Sequence, residues 1–219
     1  MHTGSTINPG SVNRKKSIMR YTFSLLSLCI VFLSCQKDMV ADHSNASAEY
    51  FPNSVGNYWR YQYSDSVSGS IQMVDVNITG SIVLPGGQNA NIWTYSFPDH
   101  ADTNYVFQVG NTISFMNKNF TVFNSYVIPL QLNNAWKTTP DYRFDSIQVT
   151  DNASYVLNGH HFDNSFLLSR NGYLPNEYWS GEEWVCPNIG MISKRERSFF
   201  SIANEARSAY WELVSYDLK

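Results

Sequence analysis

Two adjacent carboxylates, Glu182 and Glu183, stand between Trp179 and Trp184. A carboxylate pair beside indoles is the equipment of a glycosidase, one group acting as acid and the other as base or nucleophile. Neighbours on a strand point to opposite faces, however, so this pair cannot converge on one bond from a regular strand. Rings beside carboxylates also suit sugar binding, and Tyr178, Trp179 and Trp184 are the candidate ligand-binding residues. His160-His161 suggests a metal. The same alternation separates the two imidazoles, and His161 with Asp163 supplies only two ligands of the three or four that a site needs. Both lie beside an Asn158-Gly159 turn and read as solvated hairpin residues, so no metal is expected. Lys194, Arg195 and Arg197 around Glu196 read as another solvated hairpin. Cys186 is a lone thiol of the kind that fills a small buried space. The chain has no Gly-x-Ser-x-Gly elbow, no phosphate-cradling Gly-x4-Gly-Lys loop and no His-Glu-x-x-His. The expectation is a protein without catalytic activity and without a cofactor.

The elements that must hold these residues show a period of two. Trp59, Tyr61 and Tyr63 alternate with Arg60, Gln62 and Ser64; Val74, Val76 and Ile78 alternate with Asp75, Asn77 and Thr79. Trp93/Tyr95/Phe97, Tyr105/Phe107/Val109, Ile113/Phe115, Ile147/Val149, Phe166/Leu168 and Val214/Tyr216/Leu218 continue the pattern. One apolar face per strand is the signature of an antiparallel sheet with one wet side. Turn residues punctuate the runs at Ser68-Gly69, Pro85-Gly86-Gly87, Gly110-Asn111, Asn117-Lys118-Asn119, Asn158-Gly159 and Asn171-Gly172. The segment Tyr173–Pro187 reads as an irregular loop, and Ser198–Arg207 is the best helix candidate. The pattern predicts an all-β domain over 50–219, a single antiparallel open β-barrel or half-barrel of roughly ten strands, with a two-sheet sandwich as the alternative.

Charge divides the chain. The 219 residues carry 15 Lys+Arg and 18 Asp+Glu, a net of −3. Residues 1–34 hold four basic side chains (Arg14, Lys15, Lys16, Arg20) and no acid, which leaves 11 basic and 18 acidic groups, a net of −7, for the rest. An acidic body argues against nucleic-acid binding. Tyr21–Leu33 is an apolar run of thirteen residues, about 20 Å as a helix and too short to span a hydrocarbon core of about 30 Å. Basic residues before it and Phe32-Leu33-Ser34-Cys35 after it make a secretory signal. Its ending resembles the bacterial lipobox, which implies cleavage before Cys35, lipid on the Cys35 sulfur and 1–34 as a lipoprotein signal peptide. Residues 35–49, small and polar after the cysteine, read as lipidated Cys and flexible tether. Gln36-Lys37-Asp38 is similar to the short charged signals of surface lipoproteins in Bacteroidota. The localisation this implies is the outer membrane, lipid-anchored and exposed at the cell surface.

Two nonamers echo each other 77 residues apart: Phe51-Pro52-Asn53-Ser54-Val55-Gly56-Asn57-Tyr58-Trp59 and Ile128-Pro129-Leu130-Gln131-Leu132-Asn133-Asn134-Ala135-Trp136. Each reads as a turn that launches a strand, with Gly or Asn at the reversal and Trp pointing inward. Either the chain holds two halves of one sheet or it uses one turn twice. Phe51-Pro52…Gly56-Asn57…Trp59…Tyr61 resembles the opening motif of uncharacterised outer-membrane lipoproteins of Bacteroidota. Pro129, Leu130 and Trp136, then Gly190-Met191-Ile192-Ser193-Lys194, and finally Trp211–Tyr216 match their later segments. The resemblance implies an open barrel of the kind that cradles a helix or a lipid. Two functions follow as expectations: an outer-membrane accessory module that binds a glycan, peptide or protein partner, or a carrier of an apolar ligand or lipid. They differ in whether the barrel interior is filled or open.

Overall fold

The computed structural model describes residues 50–138, 146–174 and 176–219. The expected signal segment 1–34, the expected lipidation site Cys35 and the expected tether up to residue 49 lie outside the described residues. Among those described, no helix is long and apolar enough to cross a membrane.

Among the described residues, twelve strands form one antiparallel sheet. The first six are β1 (Tyr58–Asp65), β2 (Ile71–Val83), β3 (Asn89–Ser96), β4 (Ala101–Val109), β5 (Thr112–Asn117) and β6 (Val122–Val127). The second six are β7 (Ala135–Lys137), β8 (Ser146–Leu157), β9 (His160–Leu174), β10 (Glu177–Cys186), β11 (Gly190–Phe200) and β12 (Glu205–Asp217). Their order is β6-β5-β4-β3-β2-β1-β12-β11-β10-β9-β8-β7, so each half is a six-stranded meander and β1 joins β12 to weld them. The sheet curls into a nearly closed barrel. Its two edges, β6 and β7, meet through a side chain: the Trp136 indole N–H donates to the Ser125 carbonyl at 2.9 Å.

The echoed nonamers are one turn built twice. Asn57 N–H donates to Ser54 O at 3.1 Å and Asn134 N–H to Gln131 O at 3.0 Å. The preceding residues, Gly56 and Asn133, have φ of +95° and +69°. Each turn then docks on the strand that follows its own: Gly56 N–H on Ile78 O and Ile78 N–H on Asn57 O, Asn133 N–H on Val149 O and Val149 N–H on Asn134 O. The apolar third position from the reversal end, Val55 or Leu132, is half exposed in both copies. Left-handed backbone costs an L-residue with a Cβ about 1–2 kcal/mol, which Gly avoids and Asn offsets by local hydrogen bonding. Gly56→Ala is therefore expected to lose about 1–2 kcal/mol in denaturant unfolding, and Asn133→Gly to stay near wild type.

The strand phases divide into those the alternation gives and those it reverses. Trp59, Tyr61, Val74, Val76, Ile78, Trp93, Ile113, Phe115, Ile147, Val149 and Leu168 are buried, as expected. On β4 the inward residues are instead Asp102, Asn104 and Val106: Asn104 pairs with Trp93, and Val106 is fully buried while Val109 is exposed. On β12 Leu213 is buried opposite Tyr61, whereas Val214 is the extra residue of a bulge opposite Arg60/Tyr61 and is exposed; Tyr216, opposite Trp59, is exposed near the strand end. Three local expectations are corrected. Tyr173–Pro187 is largely strand, not loop. Ser198–Arg207 is a β-hairpin, since its aromatic and β-forming ends pair across a turn at 201–204. Asn171-Gly172 runs straight through β9, held by pairing with β10.

Candidate functional site

Inside the barrel lies a cavity of about 570 Å³. One wall is aromatic. Trp59 and Trp93 stack at 5.0 Å, Trp93 meets Phe115 edge-on at 5.6 Å, and Phe51 tilts over Tyr126 at 4.3 Å. Further along, Trp211 packs on Phe97 and Tyr63. The volume falls in the range of small-molecule sites, which are apolar enclosures carrying a few placed polar groups.

The facing wall supplies those groups. On β9 the inward series Phe166, Leu168 continues into Arg170. Gly181 sits opposite Arg170 on β10, so no side chain intervenes between the guanidinium and Glu183, two residues on along the same face. Arg170 Nη2 reaches Glu183 Oε2 at 2.5 Å, with both side chains 1% exposed. Glu183 Oε1 accepts the Tyr126 hydroxyl at 2.7 Å. The Tyr126 oxygen in turn accepts Asn124 Nδ2 at 2.9 Å, and Asn124 Oδ1 accepts Arg170 Nη1 at 2.8 Å. The four side chains close a ring of hydrogen bonds, and the guanidinium lies 5.0 Å from the Tyr126 ring centre. Burial holds the Tyr126 phenol far above its ordinary range, so it stays a neutral donor. Tyr61 and Tyr95 are raised for the same reason. A second pair, Lys194 Nζ to Glu196 Oε1 at 2.9 Å, lines the same wall. Near the turn between β5 and β6 the lining becomes amide-rich, with Asn104, Asn117 and Asn119 beside Asp102 and Lys118.

This arrangement can enclose an apolar body and offer hydrogen bonds to a polar end. The buried carboxylate is already satisfied by an arginine and a phenol, which favours structural closure over acid–base work.

The residues singled out from sequence are not gathered at one place. Glu182 is exposed and Glu183 buried, the separation that strand alternation requires. Trp179 points inward, 8% exposed, edge-on to Phe200 at 5.8 Å. Tyr178 is on the outer face beside Tyr173, and Trp184 is six residues along, stacked on Tyr155 at 4.7 Å. The three therefore form no common platform. His160 and His161 are exposed, and Asp163 accepts a hydrogen bond from Ser154. No group of three or more His, Cys, Asp or Glu is arranged for a metal among the described residues. Cys186 is buried, donates to Asp163 O, and has its thiol pushed up by burial. Lys194–Arg197 lies within β11 rather than in a hairpin turn, and its alternate members Lys194 and Glu196 face the cavity. Sequence reasoning missed Arg170, Asn124 and Tyr126. The available signal was parity: Arg170 occupies the next inward position after Phe166 and Leu168.

No family model matches the chain, and no curated protein is similar enough to match it. Among solved structures, a protein from Bacteroides fragilis described as exported and of YmcC-like fold aligns with a TM-score of 0.46 at 11% identity, covering 77% of this chain and 99% of its own. A protein from Parabacteroides distasonis described as a lipoprotein aligns with a TM-score of 0.36 at 15% identity over the same shares. Scores of this size leave the function to be argued from the cavity itself.

Proposed function

We propose that this protein is a lipid-anchored binding protein that takes a small apolar or amphipathic ligand into its barrel. The observation that carries this reading is the open, aromatic-lined cavity of about 570 Å³. A module that worked only through its outer surface would gain stability by filling such a space with side chains, since unfilled volume costs packing energy. The ligand's apolar part lies against Trp93, Phe115 and Trp211, and its polar end meets the amides of Asn104, Asn117 and Asn119. The role is binding or carriage rather than catalysis, because Glu183 is committed to Arg170 and Tyr126. Cys35 is the lipid attachment site, a reading supported by the basic, apolar, small-residue sequence of 14–35, and the membrane it holds is the outer membrane, supported by the resemblance of Gln36-Lys37-Asp38 to surface-lipoprotein signals.

The test uses N-phenyl-1-naphthylamine, a neutral dye that brightens in apolar surroundings. The full-length protein is expected to bind it saturably at one site. Asn104→Trp, which adds bulk to the cavity lining, is expected to abolish that binding with the fold intact by circular dichroism. Wild-type protein without saturable dye binding would overturn the reading. The anchor has its own test. Cys35→Ala is expected to move the protein from the membrane pellet to the soluble fraction, because several acyl chains are needed for stable attachment.

A further inference from the structure

A second, shallower and more open depression, of about 640 Å³, lies at the end of the barrel where β1, β10, β11 and β12 meet their turns. Its rings are Tyr63, Trp179 and Phe200, and its carboxylates are Asp65, Glu177 and Glu196. From this lining we propose a second binding site, selective for an organic ammonium ion. The carboxylates differ in what they already hold. Glu196 pairs with Lys194, and Asp65 Oδ1 accepts the backbone N–H groups of Val67 and Ser68. Glu177 Oε1 is buried and has no hydrogen-bond partner. A desolvated carboxylate oxygen without a donor is costly, and a bound N–H donor removes that cost.

The neighbouring cations leave the site negative. Arg197 is exposed, and Lys194 is neutralised by Glu196. Arg207 is held by Glu205, with Nε at 2.7 Å and Nη2 at 3.3 Å, its guanidinium lies 4.9 Å from the Phe200 ring centre, and at longer range it also attracts Glu177 and Asp65 without donating a hydrogen bond to Glu177 Oε1. One cation thus already rests on one ring of this lining, and Trp179 packs in a T-shaped contact with that ring and lines the same depression. Aromatic faces with an unsatisfied carboxylate recognise an ammonium group by cation–π attraction and a charged hydrogen bond together. The donor requirement of Glu177 selects a primary or secondary ammonium over a quaternary one, and an attached apolar group would lie against Trp179 and Phe200.

Isothermal titration of the full-length protein with benzylamine at pH 7, with benzyl alcohol as the neutral isostere, tests this. Benzylamine is expected to bind, with benzyl alcohol at least about tenfold weaker. Glu177→Gln is expected to weaken benzylamine about tenfold or more while thermal unfolding stays near wild type. Saturating N-phenyl-1-naphthylamine is expected to leave benzylamine affinity unchanged. Equal affinity for the alcohol, or a Glu177→Gln protein that binds benzylamine as wild type does, would overturn the site. Competition with the dye would also overturn it, placing the amine in the first cavity and leaving the proposed ligand binding there intact.

Discussion

Glu183→Ala is expected to destabilise the protein by about 3–5 kcal/mol, the cost of leaving a buried cation without its partner. Arg170 and Glu183 are each 1% exposed, so solvent does not screen the loss. The substitution also strands the Tyr126 hydroxyl, whose acceptor is Glu183. What makes the site unusual is its place in the topology. β6 has one ladder partner, β5, and reaches the rest of the barrel through side chains: Asn124 and Tyr126 to the Arg170–Glu183 pair, and Ser125 O to Trp136. The buried ring thus substitutes for a missing ladder. Hydrogen exchange in Glu183→Ala is accordingly expected to accelerate at Val122–Val127 more than at β2, which is paired on both sides. The double variant Arg170→Met with Glu183→Leu removes both charges and is expected to recover most of the lost stability, as apolar replacement of buried pairs often does. It would keep the barrel closed but remove the polar wall of the cavity. A loss below about 1 kcal/mol in the single variant would show that the ring does not close the barrel.

How legible a strand is in the sequence depends on what it faces. β1, β2 and β3 pack their alternate residues into the aromatic core, so Trp59, Val76 and Trp93 were legible from parity alone. β4 was not. It lines the cavity with Asp102 and Asn104, while Tyr105 on the other side stacks on Phe120 at 5.4 Å. Alternation reports a contrast between two faces, and a strand beside an open cavity can turn its polar face inward. β12 failed for another reason, since a bulge exchanges the faces midway along it and leaves no mark on composition. Asn171-Gly172 has the residues of a turn, yet long-range pairing with β10 keeps it extended. The polar ring was the least legible feature. Its members come from positions 124, 126, 170 and 183, and only the closing of the barrel brings them together. The echoed nonamers, by contrast, carried their geometry openly, because a reversal of this kind needs Gly or Asn at one position and fixes its neighbours through backbone hydrogen bonds.

That echo yields the second large effect, because the two copies differ at their tryptophans. Trp59 is 1% exposed, donates to Ile189 O at 2.7 Å and stacks on Trp93. Trp136 occupies the equivalent position, but its strand is three residues long and lies at the seam, so the ring is only half-buried. Trp59→Ala is therefore expected to cost about 3–5 kcal/mol, from lost burial and a cavity that the surrounding sheet cannot collapse. Trp136→Ala is expected to cost less, about 1–2 kcal/mol, for partial burial and one hydrogen bond. The pair separates two kinds of defect. Removing Trp59 weakens the weld between the two meanders, where β1 meets β12, so every probe of unfolding should move together. Removing Trp136 loosens only the junction of β6 and β7, and should raise exchange there and speed dye entry while the global transition shifts little. Equal costs at the two positions would mean that the seam is packed as firmly as the core, and that the ligand enters the cavity from the barrel end rather than between its edges.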